Sequence, residues 1–165
     1  MTTTAVAPRL RIGLVSDTHD LLRPQVLAFL QGSDRIVHAG DIVSADILRA
    51  LAAIAPVTAV RGNNDRGAWA ASLRQTEHLR FGDVGVHVVH DLTDLDIDPV
   101  AAGVHVVVSG HSHRPVAERR NGVLYVNPGS AGPRRFKLPI TAAELLIEGA
   151  KVDVRIVDLS ASGVA

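Results

Sequence analysis

The apolar positions of the chain follow two rhythms, and the rhythm changes near its middle. In the first third, short β-rich runs alternate with stretches of helical spacing. Residues 10–16 (LRIGLVS), 35–40 (RIVHAG) and 57–62 (VTAVRG) have strand character, whereas 23–32 (RPQVLAFLQG) and 44–54 (SADILRALAAI) repeat apolar residues at helical intervals. Ser44 is placed to cap the second helix and Gly32 to end the first. This order predicts a parallel sheet with crossover helices.

In the second half, Gly82-Asp83 divides residues 78–90 into two runs and predicts a hairpin. Runs at 103–110, 121–127, 140–149 and 151–159 follow, the last two predicted antiparallel about Gly149-Ala150. No repeat, low-complexity tract or long linker divides the chain. The reading is one α/β domain over residues 9–160 with two sheets, preceded by a frayed start at 1–8.

Composition narrows the function classes. Seventeen basic and seventeen acidic side chains cancel, so charge gives no argument for nucleic acid or an anionic membrane as a main partner. The absence of cysteine removes disulfides, thiolate metal sites and cysteine nucleophiles. The opening MTTTAVAP lacks the basic and apolar regions of a secretion signal, and no run has membrane-spanning length, so a cytoplasmic location is expected.

The chemistry lies at the ends of the apolar runs. LRIGLVSDTH ends on Asp17 and His19, RIVHAGD on Asp41, VTAVRGN on Asn63, VGVHVVH on His90, and VHVVVSGHSH on His111 and His113. Ligands in open α/β sheets bind at the carboxyl ends of the strands, so these seven candidate metal ligands are expected to converge. In DTH and HSH the intervening residue returns alternate side chains to one side of an extended segment. Gly40, Gly62 and Gly110 directly precede Asp41, Asn63 and His111, where the backbone must turn out of a strand.

The ordered set DTH, GD, GNND, VVH and GHSH resembles the motifs of the calcineurin-like metallophosphoesterases, and NPGS at 127–130 extends the likeness to the compact bacterial and archaeal phosphodiesterases. The resemblance implies two packed mixed β-sheets flanked by helices, a four-layer αββα sandwich. It also implies two divalent ions bridged by Asp41. Asp17, His19 and His113 would complete one shell, and Asn63, His90 and His111 the other. Asp41, Asn63 and His111 are the expected catalytic residues. Mixed imidazole, carboxylate and amide donors suit borderline metals, manganese first, with nickel, iron, cobalt or zinc also fitting. The implied reaction is hydrolysis of a small phosphate ester, a diester in preference to a monoester, by in-line attack of a metal-bridging hydroxide. A homo-oligomer is a further expectation.

Two departures from the resemblance stand out. Asn64 occupies the position where many relatives carry a histidine, and an amide donates a hydrogen bond but is no general acid at neutral pH. Asp91 follows His90 where relatives often carry glycine, and it either supports the metal ligands or crowds the pocket. Arg134 and Arg135, in the basic stretch GPRRFKLP, join Asn64 as candidate substrate contacts, against the plainer reading of a solvated loop. His38, His87 and His105 read as structural, and His38 is near enough to Asp41 to support it. His78 reads as an ordinary surface histidine, and the acidic run 91–99 as a solvated loop. Trp69 reads equally as a packing contact or a substrate platform. The alternative from another class is a non-catalytic scaffold of this fold, such as the retromer complex contains. Seven intact donor positions argue for the enzyme. HSHRPV lacks the further acid and histidine of a metallo-β-lactamase, and an amidohydrolase barrel would be much longer.

Overall fold

The computed structural model describes residues 8–160 of the 165-residue chain. The expected frayed start therefore lies, up to residue 7, outside the described residues. The first sheet has the order β10-β9-β1-β2-β3, built from β1 (Arg9–Val15), β2 (Arg35–His38), β3 (Val57–Ala59), β9 (Thr141–Glu148) and β10 (Lys151–Asp158). β1, β2 and β3 run parallel, connected through α1 (Pro24–Leu30) and α2 (Ala45–Ala52), while β9 and β10 add antiparallel. The second sheet has the order β4-β5-β6-β8-β7, from β4 (Thr76–Phe81), β5 (Val84–Val89), β6 (Val106–Val108), β7 (Val116–Arg120) and β8 (Val123–Asn127).

Between the sheets lies an aliphatic core. Ile12 and Leu14 of β1, Leu145 of β9, Val86 and Val88 of β5, and Val106 and Val108 of β6 are all fully buried there. The opposite face of the first sheet packs on the apolar stripes of both helices through Val26, Leu30, Ile47 and Leu51. The outer face of the second sheet is covered by Leu92, Leu95 and Ile97, from a 3₁₀ turn at Leu92–Asp94 and the chain after it. Every residue of β5 is buried because both its faces are covered. This is the expected sandwich of two mixed sheets, with one outer layer made of helices and the other of an apolar connection.

Local signals match the expected elements with small shifts. Ser44 caps α2, its Oγ accepting the Asp46 N–H at 3.2 Å. Gln31 rather than Gly32 caps α1, and Gly32 follows at φ +83°. The hairpin turns at Gly82-Asp83, and β9 and β10 meet about Gly149-Ala150. β6 is shorter than the apolar run that contains it, leaving His105 just before the strand. β7 was not expected. Its VAERR sequence is exposed throughout, as suits a charged edge strand with no buried face to pattern it. No helix of the described residues is long and apolar enough to cross a membrane.

Candidate metal centre

β1, β2 and β3 of the first sheet and β5 and β6 of the second bring their carboxyl ends to one edge of the sandwich. The backbone there is unusual. Asp17, His19, Asp41, His111 and His113 all have positive φ, between 44° and 72°. Non-glycine residues adopt this region only where neighbours enforce it. The enforcement is visible in bonds between strand ends: Asp17 N–H donates to the Gly40 carbonyl, His19 N–H to that of Asp41, and Gly110 N–H to that of His90. His111 N–H donates to Asp17 Oδ2 at 3.1 Å, joining the two sheets.

Two donor groups result. Asp17, His19 and His113 form one, and Asp41, His90 and His111 the other, with the donor atoms in each group all within 4.8 Å of one another. Asp17 Oδ1 lies 3.4 Å from His113 Nε2 and 3.9 Å from His19 Nε2. Asn63 joins the second group, its Oδ1 3.0 Å from His90 Nε2 and 3.2 Å from His111 Nδ1. Asp41 Oδ2 stands between the groups, 3.6 Å from His19 Nε2 and 3.4 Å from His90 Nε2. Donors each about 2.1 Å from a shared cation lie roughly 3.0–4.2 Å apart, depending on the angle between them, so these spacings fit divalent ions. Asp17 Oδ1 and His19 Nε2 are also buried with no hydrogen-bond partner, as donors awaiting a cation would be.

The surrounding residues fix orientation and charge. His90 Nδ1–H donates to the Ala39 carbonyl at 2.7 Å, which leaves the Nε2 lone pair facing Asn63 and Asp41. Burial opposes ionisation of Asp41, yet the adjacent His90 ring and hydrogen bonds from the backbone and side chain of Asn64 hold its carboxyl well below the usual range. Burial likewise opposes ionisation of Asp17, and the adjacent His113 ring together with a hydrogen bond from Ser16 keeps its carboxyl low. In His90, burial is outweighed by Asp41 and the Ala39 carbonyl, so its pKa is raised; burial lowers that of His19. His38 supports the site from behind. The Gly40 N–H donates to its Nδ1 at 3.1 Å, and its Nε2–H faces Thr18 Oγ1 at 2.9 Å.

Glycine is required at Gly62 and Gly110 for space. A Cβ at Gly62 would lie 2.2 Å from the Asp41 backbone nitrogen, and one at Gly110 would lie 2.0 Å from Ser16 Oγ.

The sequence-derived substrate contacts separate. Asn64 turns toward Asp41, its N–H donating to Oδ1 at 2.9 Å and its Nδ2 to Oδ2 at 3.0 Å. Arg135 is exposed and its charge bears on His19, whereas that of Arg134 bears on Asp158. Trp69 lies in a 3₁₀ turn, Ala68–Ala70, and packs against the helix-side core. A cleft of about 750 Å³ opens beside Asn63, His90 and His111, lined further by Arg61, Arg66 and Asp91.

Two supporting residues were not anticipated. Asp65 is buried and its Oδ2 accepts the N–H groups of Asp41 and Gly62, while Oδ1 accepts those of Ile42 and Val43. Asn127, the first residue of NPGS, donates through Nδ2 to the Gly110 carbonyl at 3.0 Å and to Ser112 Oγ at 3.1 Å. An acid two residues beyond the candidate ligand Asn63, and an asparagine closing a strand, were the available signals.

Residues 10–150 match the calcineurin-like phosphoesterase superfamily domain. The chain is 32% identical over 157 residues to a probable metallophosphoesterase of Methanothermobacter thermautotrophicus, covering 88% of this chain and 91% of that protein. It is 27% identical over 139 residues to a phosphodiesterase of Methanocaldococcus jannaschii, covering 73% and 83% respectively. The fold is shared with the zinc complex of Vps29 from Entamoeba histolytica, with a TM-score of 0.77 at 21% identity over 93% of this chain and 95% of that one. By sequence and architecture together, the chain belongs to the calcineurin-like phosphoesterase superfamily.

Proposed function

We propose that the protein is a dinuclear metal-dependent phosphodiesterase. The observation that carries this reading is the position of Asp41 Oδ2 between two complete donor groups. Asp17, His19 and His113 would hold one ion, Asn63, His90 and His111 the other, and Asp41 would contribute to both. Two divalent ions held there would supply Lewis acidity to the phosphoryl oxygens and would lower the pKa of a bound water to about 7, the chemistry that in-line hydrolysis of a phosphate ester requires. Asp17 and Asp41 bring two negative charges to four positive ones, so a net positive field remains to bind and stabilise an anionic phosphoryl group.

The chain's own side chains do the positioning. Asn64 holds the Asp41 carboxylate through both its N–H groups. Arg135 adds positive charge on the His19 side, where it can meet phosphate oxygens. The cleft beside His90 and His111 accommodates an ester substituent. Since Asn64 offers no acidic proton, the reading favours esters whose leaving groups depart without protonation. Manganese is the leading candidate ion, and zinc, nickel, iron and cobalt suit the same donors. The similarity of fold to Vps29 raises a scaffold alternative; the complete set of seven donors favours catalysis.

The test is hydrolysis of a chromogenic phosphodiester and its monoester by chelated protein, with single metals added back. Metal-restored hydrolysis, faster for the diester, is the expected result. A folded protein that binds no metal and hydrolyses neither ester would return the reading to a scaffold.

A further inference from the structure

We infer that Asp91 orients His111 as a metal ligand, acting as an outer carboxylate to the second donor group. This rests on the dinuclear reading above. His111 presents Nδ1 to Asn63 Oδ1 at 3.2 Å, on the side where the donors converge. A neutral imidazole that gives its Nδ1 lone pair to a cation carries its proton on Nε2. His111 Nε2 faces Asp91 Oδ2 at 3.6 Å.

The carboxylate is held for this purpose at its other oxygen. Asp91 Oδ1 accepts the Thr93 N–H at 3.0 Å and the Thr93 hydroxyl at 2.9 Å, capping the 3₁₀ turn over the second sheet. One oxygen is thus anchored and the other is offered to His111. The need is physical, because the His111 side chain is 46% exposed and little packing restrains its ring. An outer hydrogen-bond partner sets the tautomer and ring plane of a ligating histidine and raises its basicity.

The arrangement also makes the two groups unequal. In the second, His90 has the Ala39 carbonyl behind it and His111 has Asp91. In the first, His113 Nδ1 is buried without a hydrogen-bond partner. The second group should therefore hold its ion more tightly.

The experiment is zinc binding to the full chain, measured by competition with a chromophoric chelator that resolves two dissociation constants. Asp91→Asn keeps an oxygen for the Thr93 cap but discards the charge; Asp91→Gly discards both. Both variants should weaken the tighter of the two constants about tenfold or more, and leave the other within about twofold. In a His111→Ala background, Asp91→Asn should have no further effect. Ring-nitrogen NMR of the zinc-loaded wild type should find the His111 proton on Nε2. Unchanged constants in Asp91→Asn would overturn the inference, including the case where only Asp91→Gly loses zinc, since the residue would then serve only as a cap. A loss that persists in the His111→Ala background would overturn it as well. A folded wild type binding fewer than two zinc ions would fail differently, removing the dinuclear reading on which the inference rests.

Discussion

The carboxylate of Asp65 accepts the backbone N–H of Asp41 at 3.0 Å and that of Gly62 at 2.8 Å, tying the end of β2 to the end of β3. Its other oxygen takes the N–H groups of Ile42 and Val43, both at 2.8 Å. Four backbone donors are thus satisfied by one side chain. Asp41 and Val43 have positive φ, so the cage also holds a backbone that would otherwise relax.

Removing the cage should cost both stability and metal. Asp65→Ala is expected to lose about 3–5 kcal/mol, because several enclosed N–H groups lose their acceptor. Asp65→Asn should lose less, since its carbonyl oxygen still accepts. Urea unfolding of chelated protein measures the first effect, and metal content after dialysis the second. Wild-type stability in Asp65→Ala would refute the account.

Asn127 performs the matching task for the GHSH segment. Its Oδ1 accepts the Gly129 N–H at 2.9 Å while Nδ2 holds Gly110 and Ser112. Asn127→Ala should destabilise by about 2 kcal/mol and lower metal retention at both groups, because His111 and His113 share this segment. Thermal unfolding with and without metal separates the two effects.

Gly110 is a steric position. An alanine there would meet Asp17 Oδ2 at 2.8 Å as well as Ser16 Oγ. Gly110→Ala should therefore displace Asp17 and lower occupancy of the first group more than that of the second, as two-site zinc titration would report. Equal loss at both sites would mean that the whole segment has shifted.

The proposed bridging by Asp41 makes a different demand. Asp41→Asn should weaken both ions and abolish turnover while thermal unfolding shows little loss of fold. Normal turnover by the purified variant would exclude the bridge.

Acid should destabilise the metal-free protein in a window set by His38. Burial lowers its pKa from 6.5 to about 4, so the folded state keeps the ring neutral where the unfolded chain protonates it. That contribution is whole above pH 6.5 and is lost as pH falls toward 4, up to about 3 kcal/mol. His87 and His19, also lowered, act in the same direction; His90, raised, acts in the opposite one. Asp17, Asp41 and Glu144 lie below their ordinary values of 3.8, 3.8 and 4.5, so their contributions fade only in more acidic solution. Urea midpoints of wild type and His38→Gln, compared between pH 7 and 4.5 with chelator present, should converge as pH falls.

Sequence legibility followed whether a residue's role was local. The candidate ligands could be found because each closes an apolar run and the topology of parallel strands sends such ends to one edge. Ser44 could be assigned because a cap acts on its own helix. Asp65 could not, because its partner Asp41 lies 24 residues away in sequence. β7 was missed for the converse reason: an exposed edge strand is held by backbone pairing to β8, which leaves no apolar signature. Arg134 and Arg135 were equivalent as neighbours in a basic stretch, and only the fold of the loop gives one His19 as its electrostatic neighbour and the other Asp158.

By itself, then, the sequence determined the α/β class, the family motifs and the donor types, because periodicity and strand-end chemistry are written in neighbouring residues. The tertiary structure alone decided what surrounds the donors: Asn64 on Asp41, Asp65 on the backbone of Asp41 and Gly62, and Asp91 behind His111. These relations join residues from different strands and both sheets. They exist only once burial of the shared core has set the sheets against each other and brought those strand ends within hydrogen-bonding reach.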